Sequence, residues 1–162
     1  AHLQRMAAVM SQALATAPPG LKLAVDLHIG AVVETVADAE RLFALTDDPR
    51  AGLTLNIGHL TTGEQPGWEL IERHPERLHV IAWKDHLRQP PADWPHRVWS
   101  VEVGTGDSPF GRYLEALQRT PVVAEHLITF ENVPLAEKAA ALRRSREYLE
   151  GLWHEVTASG AR

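Results

Sequence analysis

The sequence predicts an α/β fold of parallel βα units that form half of a (β/α)8 barrel. Four short apolar runs, each ending in polar residues, alternate with segments of helical periodicity. A buried parallel strand is typically a continuous apolar run, and strands that alternate with helices are typical of parallel βα units. An eightfold barrel has eight such units, so four of them supply half of it. The predicted strands are residues 21–27, 53–56, 79–84 and 127–131.

Periodicity and capping residues predict the elements of the first half in order. An opening amphipathic helix ends at Pro18-Pro19-Gly20, because proline and glycine stop helices. Its apolar residues, spaced three and four apart, are Leu3, Met6, Ala7, Met10 and Leu14. Thr35 and Asp38 form a capping-box-like start for the helix after the first strand. A turn at 47–50 leads into the second strand, and a loop containing glycine and threonine is expected after it.

The second half repeats the alternation but includes a long loop. The remaining predicted elements are a helix at 68–73, a loop at 87–106 with a short strand at 98–103, a helix at 109–118 and a closing helix at 135–153. Long ordered loops in compact domains are often functional. We expect Asp107 or Ser108 to cap the helix that begins near Pro109. The expected inner face of the closing helix consists of Leu142, Tyr148, Leu149 and Leu152.

Composition narrows the class of protein. The 162 residues suffice for a single domain with a core, so we expect one domain over 1–162. The net charge is −5, whereas a nucleic-acid binder typically carries a basic patch. No stretch approaches the roughly 20 apolar residues of a membrane span. The sequence has no cysteine, which excludes disulfides and thiolate metal sites and fits a reducing compartment. We therefore expect a cytoplasmic protein that binds neither nucleic acid nor a membrane.

Polar side chains at the strand ends form the candidate site. Residues two apart share one face of a strand, so four strand-end residues are expected to ring one central point. They are Asp26, Asn56, Ala82 and Glu131. Two carboxylates facing each other can hold a hard divalent cation or act as a general acid and base. Asn56 offers an amide oxygen, a weaker ligand than a carboxylate.

Other strand-end residues leave two interpretations open. His28 and His59 can supply an imidazole nitrogen to a cation or hydrogen-bond a sugar hydroxyl. Trp83 fits either core packing or stacking on a sugar. Lys84 and Asp85 fit a surface ion pair, which contributes little stability. Their place at the end of a strand favours a local structural role or a role towards substrate. The histidines expected outside the site are His74, His79, His96, His126 and His154.

Taken in order, these residues resemble the xylose isomerase-like TIM barrels, the sugar phosphate isomerase/epimerase group. The matching motifs are Asp26 with His28, Asn56-Ile57-Gly58-His59, Ala82-Trp83-Lys84-Asp85, Gly104-Thr105-Gly106-Asp107 and Glu131, followed by a closing helix with Arg143, Arg144, Ser145 and Tyr148-Leu149. The resemblance covers nearly the whole chain. It implies that 1–162 supplies the last four βα units, the C-terminal half, of such a barrel.

The resemblance also implies a divalent metal (Mn, Mg, Co or Zn) held by one side chain from each of four strands. Only Glu131 keeps the usual residue, while Asp26 is a shorter carboxylate and Asn56 has lost its charge. Ala82 stands where the family has a histidine and has no donor atom. The implied metal ligands are therefore Asp26, Asn56 and Glu131, a degenerate site of lower charge and ligand number.

The activity implied by the resemblance is that of a sugar, keto-sugar or polyol isomerase or epimerase working by proton transfer beside a carbonyl. Asp26 and Glu131 would be the acid/base pair. The residues that would bind the carbohydrate-like substrate are His28, His59, Trp83 and Lys84.

Two alternatives and the oligomeric state remain open at this point. The first alternative is a non-catalytic or metal-independent carbohydrate-binding barrel, including one that dehydrates its substrate without metal. The second is the zinc-dependent DNA-repair branch of the same barrel, which Ala82 and the acidic balance disfavour. The tryptophan-containing loop 87–106 offers a surface for a homo-oligomer.

Overall fold

Four parallel strands form the central sheet, and helices cover one of its faces. The computed structural model describes residues 1–160. The strands are β1 (Leu23–Asp26), β2 (Ala51–Asn56), β3 (Leu78–Trp83), β4 (Asp85–His86), β5 (Ser100–Val101) and β6 (Glu125–Ile128). The sheet order is β1-β2-β3-β6 with every pair parallel, and β4 and β5 form a separate antiparallel pair. The predicted fold of alternating strands and helices is confirmed.

The helices occupy the connections between the strands. They are α1 (His2–Thr16), α2 (Val36–Ala44), α3 (Ile57–Thr62), α4 (Trp68–Arg73), α5 (Phe110–Arg119) and α6 (Lys138–Gly160). The predicted capping box at α2 is present, since the Thr35 side chain accepts from the Asp38 backbone and the Asp38 side chain accepts from the Thr35 backbone. None of these described helices combines the length and the apolar character that crossing a membrane requires.

The two faces of the sheet differ sharply. The face towards the helices carries large apolar side chains such as Leu53, Leu55 and Ile81, all fully buried. The opposite face carries small and polar residues, and there Ala24 is exposed and Leu127 is 50 % exposed. Within the described residues, β1 and β6 each pair on one side only. The sheet is therefore an open half-barrel whose inner face is exposed on the edge strands β1 and β6, whereas Asn56 and Ala82 on the central strands are buried.

Three sequence expectations are wrong in detail. The segment after β2 is helix α3 rather than a loop, with Asn56 as its N-cap residue. Neither Asp107 nor Ser108 caps α5, which begins after Pro109 without a side-chain cap, while Asp107 accepts the backbone N–H of Arg88 instead.

The inner face of α6 also differs from the expected one. Leu142 and Tyr148 are each more than 40 % exposed, whereas Ala141 and Ser145 are fully buried. The contact face runs through these small side chains to Leu149, one turn further on, which is partly buried. Two of the four expected residues, Leu149 and Leu152, do pack against the core, whereas Leu142 and Tyr148 do not.

Candidate active site at the carboxyl ends of the strands

A cavity of about 350 Å³ opens beside the carboxyl ends of the strands. Three residues predicted for the site line it, namely His28, His59 and Glu131. The loop between β4 and β5 and the residue after Glu131 supply the remaining lining, which is Trp94, His96, Val98 and Asn132. The cavity thus collects part of the predicted site at the end of the sheet where barrels carry their active sites. Four predicted residues, Asp26, Asn56, Trp83 and Lys84, do not line it.

Asp26 and Asn56 form a pair at the ends of neighbouring strands. The Asn56 amide Nδ2 donates to both carboxylate oxygens of Asp26, at 3.2 and 3.4 Å. Asn56 is buried, and its Oδ1 has no hydrogen-bond partner among the described residues. Asp26 is exposed on the inner face of the sheet. The carboxylate therefore already has an internal donor.

Lys84 and Glu131 form a second pair. The Lys84 ammonium donates to Glu131 Oε1 at 2.5 Å. Lys84 follows the end of β3 and lies on the same face as Ala82, two residues before it. The Lys84 side chain is 5 % exposed whereas that of Glu131 is 63 % exposed. A buried ammonium thus holds a carboxylate that remains open to solvent and to a ligand.

Three histidine rings contact one another at the cavity wall, which His28 and His59 line. The ring centroids of His28 and His59 are 3.5 Å apart, and those of His59 and His86 are 4.8 Å apart in an edge-to-face arrangement. Thr62 Oγ1 lies 2.9 Å from His86 Nδ1. Both ring nitrogens of His59 are buried without a hydrogen-bond partner in the described chain.

Burial keeps two of these histidines neutral. Burial lowers the pKa of His59 to about 2, with smaller contributions from His86, His28 and Lys84. Burial and the Lys84 ammonium lower the pKa of His86 to about 4, while Glu131 opposes this shift. Neutral imidazole both donates and accepts, so His59 suits hydrogen bonding to a hydroxyl and is a poor proton donor at neutral pH.

Asp85 and Ser100 anchor the loop residues that complete the site. The Asp85 carboxylate is buried and accepts the backbone N–H groups of Gly104, Gly106 and Ser108 at 2.8 to 3.0 Å. The Ser100 hydroxyl accepts the backbone N–H of Glu131 at 3.2 Å. The β4–β5 pair therefore fixes the position of Glu131 at the mouth of the cavity.

Lys84 and Asp85 do not pair with each other. Lys84 donates a hydrogen bond to Glu131, whereas Asp85 accepts backbone N–H groups of the turn at 104–108. The two adjacent residues therefore have different partners and different roles. The turn at Gly104-Thr105-Gly106-Asp107 is thus a structural element held by a carboxylate. Its backbone N–H groups at Gly104 and Gly106 are taken by Asp85.

Trp83 lies away from the cavity. Its indole Nε1 donates to His126 Nδ1 at 3.0 Å, and its ring packs on Phe110 in the layer between sheet and helices. Trp83 is 4 % exposed and lies on the opposite face of β3 from Ala82 and Lys84. The structure therefore does not bring this predicted substrate-binding residue to the site.

Five residues of the site were not singled out from the sequence. They are His86, Trp94, His96, Val98 and Asn132, of which His96 was expected at the surface outside the site. His86 directly follows Lys84-Asp85 at the end of a strand, and this position could have indicated from the sequence that it belongs to the site. Trp94 and His96 reach the cavity through the folding of a long loop, which no local pattern reveals.

The residues present do not fit the divalent metal that the resemblance implies. Ala82 has no donor atom, Asn56 turns its N–H towards Asp26, and Glu131 is paired with Lys84. In the described range 1–160, no three His, Asp or Glu side chains are grouped so that they could hold a metal ion. Two carboxylates that each have a hydrogen-bond donor are a weak donor set for a hard cation.

Comparisons with known proteins identify the fold. No family model matches the chain. It is similar to a xylose isomerase domain protein from Alicyclobacillus acidocaldarius (TM-score 0.74, 16 % identity), covering 96 % of this chain and 59 % of that one. The IOLI protein, solved with a zinc atom bound, gives a TM-score of 0.76 at 16 % identity over 95 % and 57 % of the two chains. A D-tagatose 3-epimerase-like protein gives a TM-score of 0.66 at 17 % identity, covering 97 % of this chain and 55 % of that one.

Curated relatives match a shorter segment. The inosose dehydratase of Lacticaseibacillus casei is 31 % identical over 78 residues, which are 48 % of this chain and 26 % of the relative. That of Geobacillus kaustophilus is 36 % identical over 66 residues, 41 % of this chain and 21 % of the relative. The match thus spans about a quarter of these relatives. The chain has the xylose isomerase-like TIM-barrel fold and supplies part of such a barrel, as the motifs predicted.

Proposed function

We propose that the chain carries the acid/base part of an enzyme that processes a sugar, keto-sugar or polyol by proton transfer beside a carbonyl. The observation that carries the proposal is the Glu131 carboxylate, exposed at the mouth of the cavity and held by the buried Lys84 ammonium. A positioned carboxylate within reach of a bound ligand is suited to general base catalysis. The similarity to inosose dehydratases and to an epimerase-like protein supports the same class of substrate.

The proposed reaction begins with one step common to isomerases, epimerases and dehydratases. Glu131 takes the proton from the carbon beside the carbonyl, and the electron pair moves onto the carbonyl oxygen to give an enolate. An isomerase or epimerase then returns the proton at a neighbouring carbon or on the other face. A dehydratase instead expels the hydroxyl group on the next carbon as water, using the same proton. No step of this proposal passes through a metal ion.

The other site residues have supporting roles in this proposal. Neutral His59 and exposed His28 hydrogen-bond substrate hydroxyls, and Asp26 is the second acid/base group, oriented by Asn56. Trp94 and Val98 supply an apolar part of the cavity wall beside Glu131. We also propose that the whole protein is cytoplasmic and forms a homo-oligomer.

Deuterium exchange tests the shared step without requiring the final product to be known. The protein that contains this chain is incubated in D2O with inosose or D-tagatose, and loss of the proton beside the carbonyl is followed by NMR. We expect exchange with the wild type and at least about a 100-fold loss in Glu131→Gln, in line with the usual contribution of a general base. The matched control is Glu147→Gln, an exposed carboxylate on α6 that should leave exchange unchanged. Full exchange in Glu131→Gln would contradict the assignment.

A carbohydrate-binding barrel without catalysis is the second candidate. Asn56 and Ala82 favour it, because both positions have lost the groups that the resemblance expects. Calorimetric binding of inosose without any deuterium exchange would support this candidate over the enzyme.

A further inference from the structure

The loop between β4 and β5 borders a second cavity, of about 480 Å³, which we call the loop cavity. Its polar and aromatic lining consists of Thr62, Arg88, Trp94, His96 and Arg97, and prolines and an alanine complete it. Resting on the function proposed above, we propose that the loop cavity is a subsite for an oxyanion group. The substrate is then a sugar that carries a carboxylate or a phosphate at the end remote from its reacting carbonyl.

The loop cavity adjoins the cavity at the strand ends. Trp94 and His96 line both of them. On another side, Thr62 of the loop cavity has its Oγ1 2.9 Å from His86 Nδ1, and the His86 ring lies edge-to-face on His59, which lines the strand-end cavity. Single side chains therefore separate the two cavities, and one extended ligand can occupy both.

The loop cavity is positively charged in a chain whose net charge is −5. Arg88 and Arg97 line it, and none of its described lining residues is acidic. Within residues 1–160 neither guanidinium has a salt bridge, whereas Arg50 is paired with Asp48 and Arg144 with Glu102. Guanidinium groups bind carboxylate and phosphate through paired N–H donors, and a cleft lined by one sign of charge concentrates the opposite sign.

The loop is held in place by contacts that leave both guanidinium groups free for a ligand. The backbone N–H of Arg88 donates to Asp107 Oδ2 at 2.8 Å. The Trp94 indole N–H donates to the Val98 carbonyl at 2.9 Å, and the Trp94 backbone N–H donates to the Pro91 carbonyl at 2.9 Å. Both arginine side chains are exposed, so their removal should leave the fold intact.

The subsite would set this chain apart from the proteins to which it is similar. Inosose and D-tagatose, after which several of those proteins are named, are uncharged sugars. Loops that follow the strands determine which substrate a barrel accepts, while the strand ends carry the chemistry. The loop cavity therefore predicts a difference in substrate without a difference in the proposed proton transfer.

Three sugars that differ only at C6 test the subsite. D-tagatose has a hydroxymethyl group there, D-tagaturonate a carboxylate and D-tagatose 6-phosphate a phosphate. Their dissociation constants are measured by calorimetry with the protein that contains this chain. We expect at least one anionic sugar to bind at least about 10-fold more tightly than D-tagatose, which is the ratio that one hydrogen bond to a charged group typically gives.

The double substitution Arg88→Gln with Arg97→Gln should remove this preference and leave the binding of D-tagatose unchanged. Arg5→Gln is the matched control, because Arg5 is an exposed arginine on α1 that lines neither cavity. It should keep the full preference. The preference should also weaken as salt is added, since exposed charges are screened.

Each outcome decides the inference. Tighter binding of D-tagaturonate alone identifies a carboxylate as the bound group, and tighter binding of D-tagatose 6-phosphate alone identifies a phosphate. The inference is wrong if neither anionic sugar binds more tightly than D-tagatose, or if the preference survives in the double variant. Deuterium exchange judges the proposed function separately. A preference without exchange of any of the three sugars would leave the subsite and overturn the reaction, and exchange of D-tagatose without a preference would do the reverse.

Discussion

The backbone N–H of Gly106 donates to Asp85 Oδ2 at 2.8 Å, and the same carboxylate also binds the N–H groups of Gly104 and Ser108. A Cβ at 106 would lie 2.4 Å from Asp85 Oδ1, so the glycine is required for this close approach. One buried side chain therefore fixes the turn that ends the long loop, and through β5 the loop positions Glu131. The stability of the turn and the geometry of the cavity are coupled at this contact.

Replacing Asp85 by asparagine should destabilise the protein. An amide offers one acceptor oxygen in place of two and turns an NH2 group towards a buried N–H, so at least one backbone donor loses its partner. Hydrogen bonds to charged groups contribute about 1.5–3 kcal/mol, and we expect a loss of about 2 kcal/mol or more in the free energy of unfolding in urea. Asp107→Asn is the control, since Asp107 accepts one exposed N–H from Arg88 and should cost about 1 kcal/mol or less. Equal losses for the two variants would contradict the role given to Asp85.

Substituting alanine for Gly104 and for Gly111 should change the free energy of unfolding in opposite directions. Gly104 has φ +95°, and a Cβ there would lie 2.8 Å from the Tyr148 ring, so Gly104→Ala is strained twice over. We expect it to lower the unfolding free energy by about 1–3 kcal/mol. Gly111 lies in α5 with open space around its Cα, and Gly111→Ala should raise the same quantity by up to about 1 kcal/mol. Thermal or urea unfolding of both variants checks the pair, and a shared sign would refute it.

The buried histidines make stability depend on pH. An unfolded histidine titrates near pH 6.5, whereas the pKa of His59 is about 2 and that of His86 about 4 in the folded chain. Below about pH 6.5 the unfolded state binds protons that the folded state does not, so stability falls as the pH drops towards 4. Each histidine contributes up to about 1.4 kcal/mol per pH unit in this window.

Urea unfolding at pH 7 and pH 5 measures this effect. His59→Asn should show a smaller loss of stability between the two pH values than the wild type. His154→Asn, at an exposed position on α6, should behave as the wild type does. If His59→Asn and the wild type lose the same free energy, burial of a neutral His59 is not the cause.

Substitution of Trp83 should affect mainly stability, whereas substitution of Trp94 should affect mainly substrate binding. Trp83→Phe removes the hydrogen bond to His126 and part of the packing on Phe110, which should lower the unfolding free energy by about 1–2 kcal/mol without changing KM. Trp94 lines the cavity, so Trp94→Phe should raise KM in the exchange assay more than it affects unfolding. A change in KM for Trp83→Phe alone would restore the substrate role that its sequence position first indicated.

The sequence was sufficient to place the strand-end residues but not the loop around them. Alternation along β1, β2 and β3 put Asp26, Asn56 and Lys84 on one face, and the structure has them there because the period of a strand is fixed by its backbone. The start of β6 was missed, since Glu125 and His126 are polar and exposed and the expected apolar run begins only at Leu127.

Contacts between distant segments account for the rest. The pairing of Lys84 with Glu131 joins residues 47 positions apart, and the loop brings Trp94 to the cavity through the β4–β5 pair. No local sequence pattern indicates either of these two contacts. The expectation of a metal followed from the strand-end motifs, whereas the donors to the two carboxylates, Asn56 for Asp26 and Lys84 for Glu131, are visible only in the structure.

The outer edges of β1 and β6 have a practical consequence for handling the polypeptide. Each edge presents a row of backbone N–H and C=O groups without a strand partner in the described chain, and such edges are templates for pairing with another molecule. The exposed Leu127 adds apolar surface beside one of them. A solution of residues 1–162 alone is therefore expected to self-associate as its concentration rises. Solubility and light scattering should accordingly improve whenever further strands cover both edges.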